Sequence, residues 1–127
     1  MEKLLVLLQE IQDLASDIHY NYAYKADFFS IHKLMDEVRD PVSGFVDDIK
    51  EVIYLGHGST APSCKLISSQ TVEFPLDLLS LKNLLDDTIQ HIEDVKDSMQ
   101  VDSGSCAVLD AISQHCLKYS GLLFRLV

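Results

Sequence analysis

Two histidines and three carboxylates in the first half of the chain have the side-chain types that bind transition metals: His19, His32, Asp36, Asp47 and Glu51. Imidazole nitrogen and carboxylate oxygen suit iron, zinc and manganese. Their spacing matters as much as their type. At about 100° per residue on a helix, with His32 set at zero, Asp36 falls near ~40°, Asp47 near ~60° and Glu51 near ~100°. These four residues therefore line one flank of a single helix, beside its apolar seam rather than opposite it.

One chain cannot gather all of them around one ion. At ~1.5 Å rise per residue, His32 and Glu51 lie about 28 Å apart, and Asp36 and Asp47 about 16 Å. Metal–ligand bonds are about 2 Å long. The pair His32/Glu51 and the pair Asp36/Asp47 are, however, centred on the same point, between Pro41 and Val42. If this helix packs antiparallel against its own copy across a two-fold axis there, His32 and Asp36 of one subunit come level with Glu51 and Asp47 of the other. An isologous interface then makes two such sites. His19 joins the His32 end if its helix runs antiparallel to the second across a short turn. The competing explanation is that each carboxylate and imidazole is solvated or ion-paired on a helix flank, as such residues usually are.

The elements that must position these side chains follow from apolar periodicity. Leu4, Leu8, Ile11, Ala15, Ile18 and Tyr22 form one seam and predict a first helix over residues 2–22. Asp27 is placed to cap a second helix over 27–55, whose seam is Phe28, Ile31, Met35, Val38, Val42, Phe45, Ile49 and Val52. Gly56 and Gly58 supply its stop. Pro41 removes one backbone donor within it, predicting a kink rather than a break. Residues 56–75 are rich in Gly, Ser, Thr and Pro. They read as a long connection with a short helical turn over 64–67, crossing from one end of a bundle to the other. A third helix runs from 75 or 80 to 99 with Leu81, Leu84, Leu85, Thr88, Ile92, Val95 and Met99 inward. Residues 102–105 make a turn and cap. The fourth occupies 105–126 through Cys106, Leu109, Ile112, Cys116, Tyr119 and Leu123.

The fold class is thus all-α: one four-helix domain over 1–127, with a long connection between helices 2 and 3. Composition agrees, with 47% apolar and 24% charged residues but only five Gly and three Pro. No apolar run approaches the roughly 20 residues of a membrane span. The apolar opening 1–8 is followed by Gln9, Glu10, Gln12 and Asp13 without a small-residue cleavage site, which argues against a signal peptide. Cys64, Cys106 and Cys116 are odd in number and lack C-x-x-C spacing, so free thiols and a cytoplasmic location are expected. The net charge of −10 leaves no basic patch to displace counterions from phosphate, so DNA binding is not expected. The acidic residues Asp86, Asp87, Glu93, Asp94 and Asp97 read as a solvated face or a surface that attracts cations.

Several of these residues resemble the Dps family of mini-ferritins. His19-Tyr20-Asn21, followed by the run from Asp27 and Phe28 through His32 to Asp36-Glu37, is similar to that family's H-W-N and F-x-x-x-H-x-x-x-D-E signature. Asp47-x-x-x-Glu51 matches its D-x-x-x-E on the same helix. Pro75-Leu76-Asp77 and Ala107-x-Leu109-x-x-Ile112 extend the likeness over nearly the whole chain. The resemblance implies a ferritin-like four-helix bundle that assembles as a homo-oligomer, a dodecameric shell built from two-fold dimers. It implies a ferroxidase centre in which His19, His32 and Asp36 come from one subunit and Asp47 and Glu51 from its mate. There Fe(II) is oxidised with hydrogen peroxide or oxygen, and the ferric mineral is stored inside. Zinc or manganese are alternative occupants, since this ligand set does not select iron by affinity alone.

Four departures accompany the likeness. His19 and His32 are thirteen residues apart, one more than usual. Tyr20 stands where the family has Trp. Pro41 sits at the proposed axis. No Lys-rich N-terminal tail of the DNA-binding kind is visible. A di-iron centre within one bundle is not expected either, because no Glu-x-x-His occurs: Ser16, Phe29, Tyr54, Thr88 and Ile112 precede the five histidines by three. His57, His91 and His115 are read as surface or capping residues. Asp97, Asp102 and Asp110 are read as a solvated face, with a pore or mineral-facing surface as the alternative. A different class of function is a ferritin-fold structural or interaction protein that has lost iron oxidation.

Overall fold

Leu4, Leu8, Ile11, Ala15 and Ile18 recur at helical spacing, and all five are buried. The structure, a computed structural model, describes residues 1–22, 27–63 and 75–127. Helix α1 spans Glu2–Asn21, and α2 spans Phe28–Asp48. Without a break α2 passes into a π-helical segment, Ile49–Leu55. Helix α3 spans Leu78–Ser98 and α4 spans Ser103–Phe124. No strand occurs among the described residues.

The four helices form a bundle in which α1 packs on α2 and α3, while α4 packs on α2, α3 and the π segment. Cross-helix bonds fix the directions. His115 and Tyr119 of α4 reach Val38 and Glu37 of α2, whereas His57, just past the π segment, reaches Asp102 at the start of α4. Helices α2 and α4 are therefore antiparallel. So are α3 and α4, which are tied by Lys96–Asp110 and Ser120–Asp86. It follows that α2 and α3 run the same way. Residues 23–26, in the predicted first turn, and the helical turn expected at 64–67 lie outside the described residues.

One contiguous core joins all four helices, with Ile11, Met35, Val42, Ile49, Leu81, Leu85, Ile92, Leu109, Ile112 and Leu123 fully enclosed. Each such side chain contributes roughly 1.5–3 kcal/mol of transfer free energy, most of it offset by chain ordering. Helix starts differ in quality. Asp102 accepts from the Gly104 and Ser105 amides, and Asp77 accepts from Ser80, so both satisfy orphan donors of a first turn. Asp27 stands at the cap position of α2, but its side chain makes no cap bond.

The sequence reading needs other corrections. Helix α4 begins at Ser103 and ends at Phe124, because the cap lies one residue before the Ser-Gly-Ser turn. Met99 is exposed rather than inward, since α3 stops at Ser98 and Met99 takes extended backbone. Cys106 is only partly enclosed. Helix α2 continues through Pro41, so the proline does not break it.

The largest difference is the π segment. The Gly56 amide donates to the Glu51 carbonyl, five residues back, at 2.9 Å, and the Ser59 amide does the same to Tyr54 at 2.8 Å. A Cβ at Gly56 would sink well inside contact with the Val52 carbonyl oxygen. Gly58 follows at φ 72°, a left-handed conformation that glycine adopts without strain. The two expected stop residues thus end the helix, and the first also permits its wide last turn.

Candidate metal centre

Helix α1 ends two residues after His19, and its last carbonyls have no helical donor of their own. The Tyr22 amide satisfies Ile18. His32, in the second turn of α2, satisfies His19: its Nδ1 donates to the His19 carbonyl oxygen at 2.9 Å. The bond is reciprocated, since Nδ1 of His19 lies 2.9 Å from the His32 carbonyl oxygen. The two rings stack with centroids 3.5 Å apart and planes 24° from parallel. Asp36, one turn after His32, places Oδ1 at 3.2 Å from His19 Nδ1.

Carbonyl oxygens only accept, so both Nδ1 atoms must carry protons. In each neutral ring the lone pair is then on Nε2. Metal-binding histidines are oriented in this way, by an N–H bond from the nitrogen opposite the ligating one. A ligand atom from each of His19, His32 and Asp36 lies within 4.8 Å of the others. His19 is buried, and His32 and Asp36 are half-buried at the α1–α2 end of the bundle. Phe28 packs beside His32, and Tyr20 sets its ring nearly perpendicular to His19 while staying largely exposed. The three residues could hold a metal ion, and imidazole with carboxylate is a donor set for divalent transition metals.

Asp47 and Glu51 are not brought to this cluster within the chain. Both are exposed, further along the same continuous helix. Asp47 lies in the α-helical part, so its expected register holds. Glu51 lies in the π segment, where five-residue bonding alters rise and rotation per residue. Its expected angle of ~100° from uniform α geometry is therefore displaced, and its level match with His32 is approximate.

One neighbour of the cluster, Arg39, was not singled out from the sequence. Arg39 Nη2 donates to Asp36 Oδ1 at 2.6 Å, and its other nitrogens reach Asp40 at 3.3 Å and the Ser16 hydroxyl at 3.5 Å. The i,i+3 spacing of Asp36 and Arg39 was the available signal.

The remaining histidines separate. Exposed His57 bonds Asp102 Oδ1 at 2.9 Å, and the Ser105 hydroxyl donates to that same oxygen at 2.7 Å. This is the expected capping role. The Ser105 bonds, aided by His57, pull the Asp102 carboxyl down to about 2. Asp102 caps α4, and Asp110 is paired with Lys96. His115 departs from the surface reading. It is half-buried between Phe45 and Tyr119 and donates Nε2–H to the Val38 carbonyl at 2.9 Å. Burial holds its imidazole below the usual histidine range, with the Val38 bond opposing. His91 is likewise lowered by burial and by Lys3, and its Nε2 is enclosed without a partner. Cys106 and Cys116 are free thiols, and burial pushes the Cys116 thiol up to about 12. Cys64 lies outside the described residues.

Fold and cluster together define a four-helix bundle with a His/His/Asp group clasped between its first two helices. No family model, curated protein or solved structure matches the chain. No described helix is long and apolar enough to cross a membrane.

Proposed function

We propose that this chain oxidises and stores iron as a Dps-like homo-oligomer, at a site shared between two copies across a two-fold axis near Pro41. The observation that carries the reading is the convergence of His19, His32 and Asp36 with both Nδ1 atoms committed to main-chain carbonyls. Such a half-site offers imidazole and carboxylate donors and leaves coordination positions unfilled. Asp47 and Glu51 of a partner would complete it, and positions left open would admit the oxidant. Anionic oxygen ligands favour Fe(III) over Fe(II), which drives oxidation of the bound substrate. The acidic surface would draw Fe(II) inward and repel DNA.

Iron titration tests this directly. Fe(II) added with air or hydrogen peroxide should yield ferric-oxo absorbance faster than in buffer, and His32→Ala should slow it about tenfold or more. Parent protein no faster than buffer sinks the reading.

One observation favours a second reading, a bundle without iron chemistry. The reciprocal imidazole–carbonyl bonds and the Arg39–Asp36 pair satisfy the cluster with no metal, so it could serve as a clasp holding α1 to α2. A ligand that binds only the folded state raises its melting temperature. An unchanged melting temperature with Co(II) or Zn(II), together with a destabilised His32→Ala, would select the clasp.

A further inference from the structure

The cation nearest the candidate centre belongs to the chain itself. Arg39 Nη2 sits 2.6 Å from Asp36 Oδ1, the oxygen that also faces His19 Nδ1 at 3.2 Å. A charge-assisted bond of this length is a strong one. The same guanidinium has a second anionic neighbour, since its Nε lies 3.3 Å from Asp40 Oδ1. Its side chain is mostly covered, whereas the Asp40 side chain is mostly exposed. Leaving Asp36 for Asp40 would therefore strand no charge.

We propose that Arg39 is a built-in counter-cation that competes with the incoming metal ion for Asp36 and moves onto Asp40 when the ion binds. The inference rests on the metal reading of His19, His32 and Asp36 and adds a residue that sets its affinity. A metal ion on Asp36 would repel the guanidinium beside it and draw on the same carboxylate charge. The apparent affinity is then the intrinsic affinity reduced by the fraction of molecules in which Asp36 is released. The resting site stays neutralised and clasped, and the cost of opening it discriminates against weakly bound cations.

Calorimetric titration of metal-free protein with Co(II), in parent, Arg39→Gln and Arg39→Lys, tests this. Arg39→Gln should bind about five- to tenfold more tightly at unchanged stoichiometry. Arg39→Lys, which keeps the charge but loses the planar fork, should lie between it and the parent. Circular dichroism of each variant checks that the bundle is intact. Parent and Arg39→Gln binding equally, or Arg39→Gln binding more weakly, overturns the competition while leaving the metal site standing. No binding by any of the three, or binding unaffected by His32→Ala, overturns both.

Discussion

The histidines of this chain differ because of what their N–H groups meet. His19 and His32 give theirs to each other's main chain, which leaves the far nitrogens available to a ligand. His115 gives its Nε2–H to Val38 between two aromatic rings and has nothing left to offer a metal from that atom. Its consequence is a pH dependence. With the folded pKa held low by burial, the unfolded chain binds a proton that the folded chain refuses. Stability from this group is fully present above the unfolded value of about 6.5 and declines as pH falls toward the lower folded value. His91 acts in the same direction. In metal-free buffer the melting temperature should therefore drop between pH 7.5 and 5.5, and His115→Gln should show a smaller drop. An identical drop in parent and variant would refute the assignment. The Asp102 carboxyl works at the acid end, its contribution present above about 4 and lost as pH falls through about 2.

At the scale of elements, the ends of helices carry much of the specificity. Asp102 caps α4 through two amides and also anchors Ser105 and His57. Asp102→Ala should lower the urea midpoint, whereas Asp27→Ala, at a cap position with no side-chain bond, should lower it markedly less. The π segment makes a sharper demand. Gly56→Ala drives a methyl group into the Val52 carbonyl, so either the wide turn rewinds or the chain is strained by about 1–3 kcal/mol. Either result should appear as a lowered melting temperature. In the proposed shared site, Gly56→Ala should also weaken metal binding through displacement of Glu51. Wide turns of this kind recur at functional positions.

At the scale of the whole molecule, the proposed shared site would couple chemistry to assembly. Ligands sit at one end of a continuous helix, and the carboxylates meant to complete them sit toward the other, with a proline between. Only an antiparallel copy can bring them together. Size-exclusion chromatography with light scattering should find a dimer or a larger closed assembly, and metal affinity should rise with protein concentration over the range where it forms. A monomer at all concentrations would remove Asp47 and Glu51 from the site and overturn the shared centre. Asp47→Asn should then be silent, whereas in the shared site it should weaken binding.

The sequence alone determined the four helices, their inward faces and the ends set by Gly56, Gly58 and Asp102, because side-chain periodicity and backbone freedom are local properties. It also determined which residues could ligate, since chemistry and spacing along one helix are written in the chain. Only the tertiary structure decided that His19 and His32 stack and exchange backbone bonds, because that depends on how α1 and α2 meet across a turn. It also placed Arg39 on Asp36, sank His115 beside Val38, and put Glu51 into a π turn. The i,i+3 spacing allowed the Arg39–Asp36 pair, but the others are choices among neighbours that packing makes, and no spacing rule encodes them.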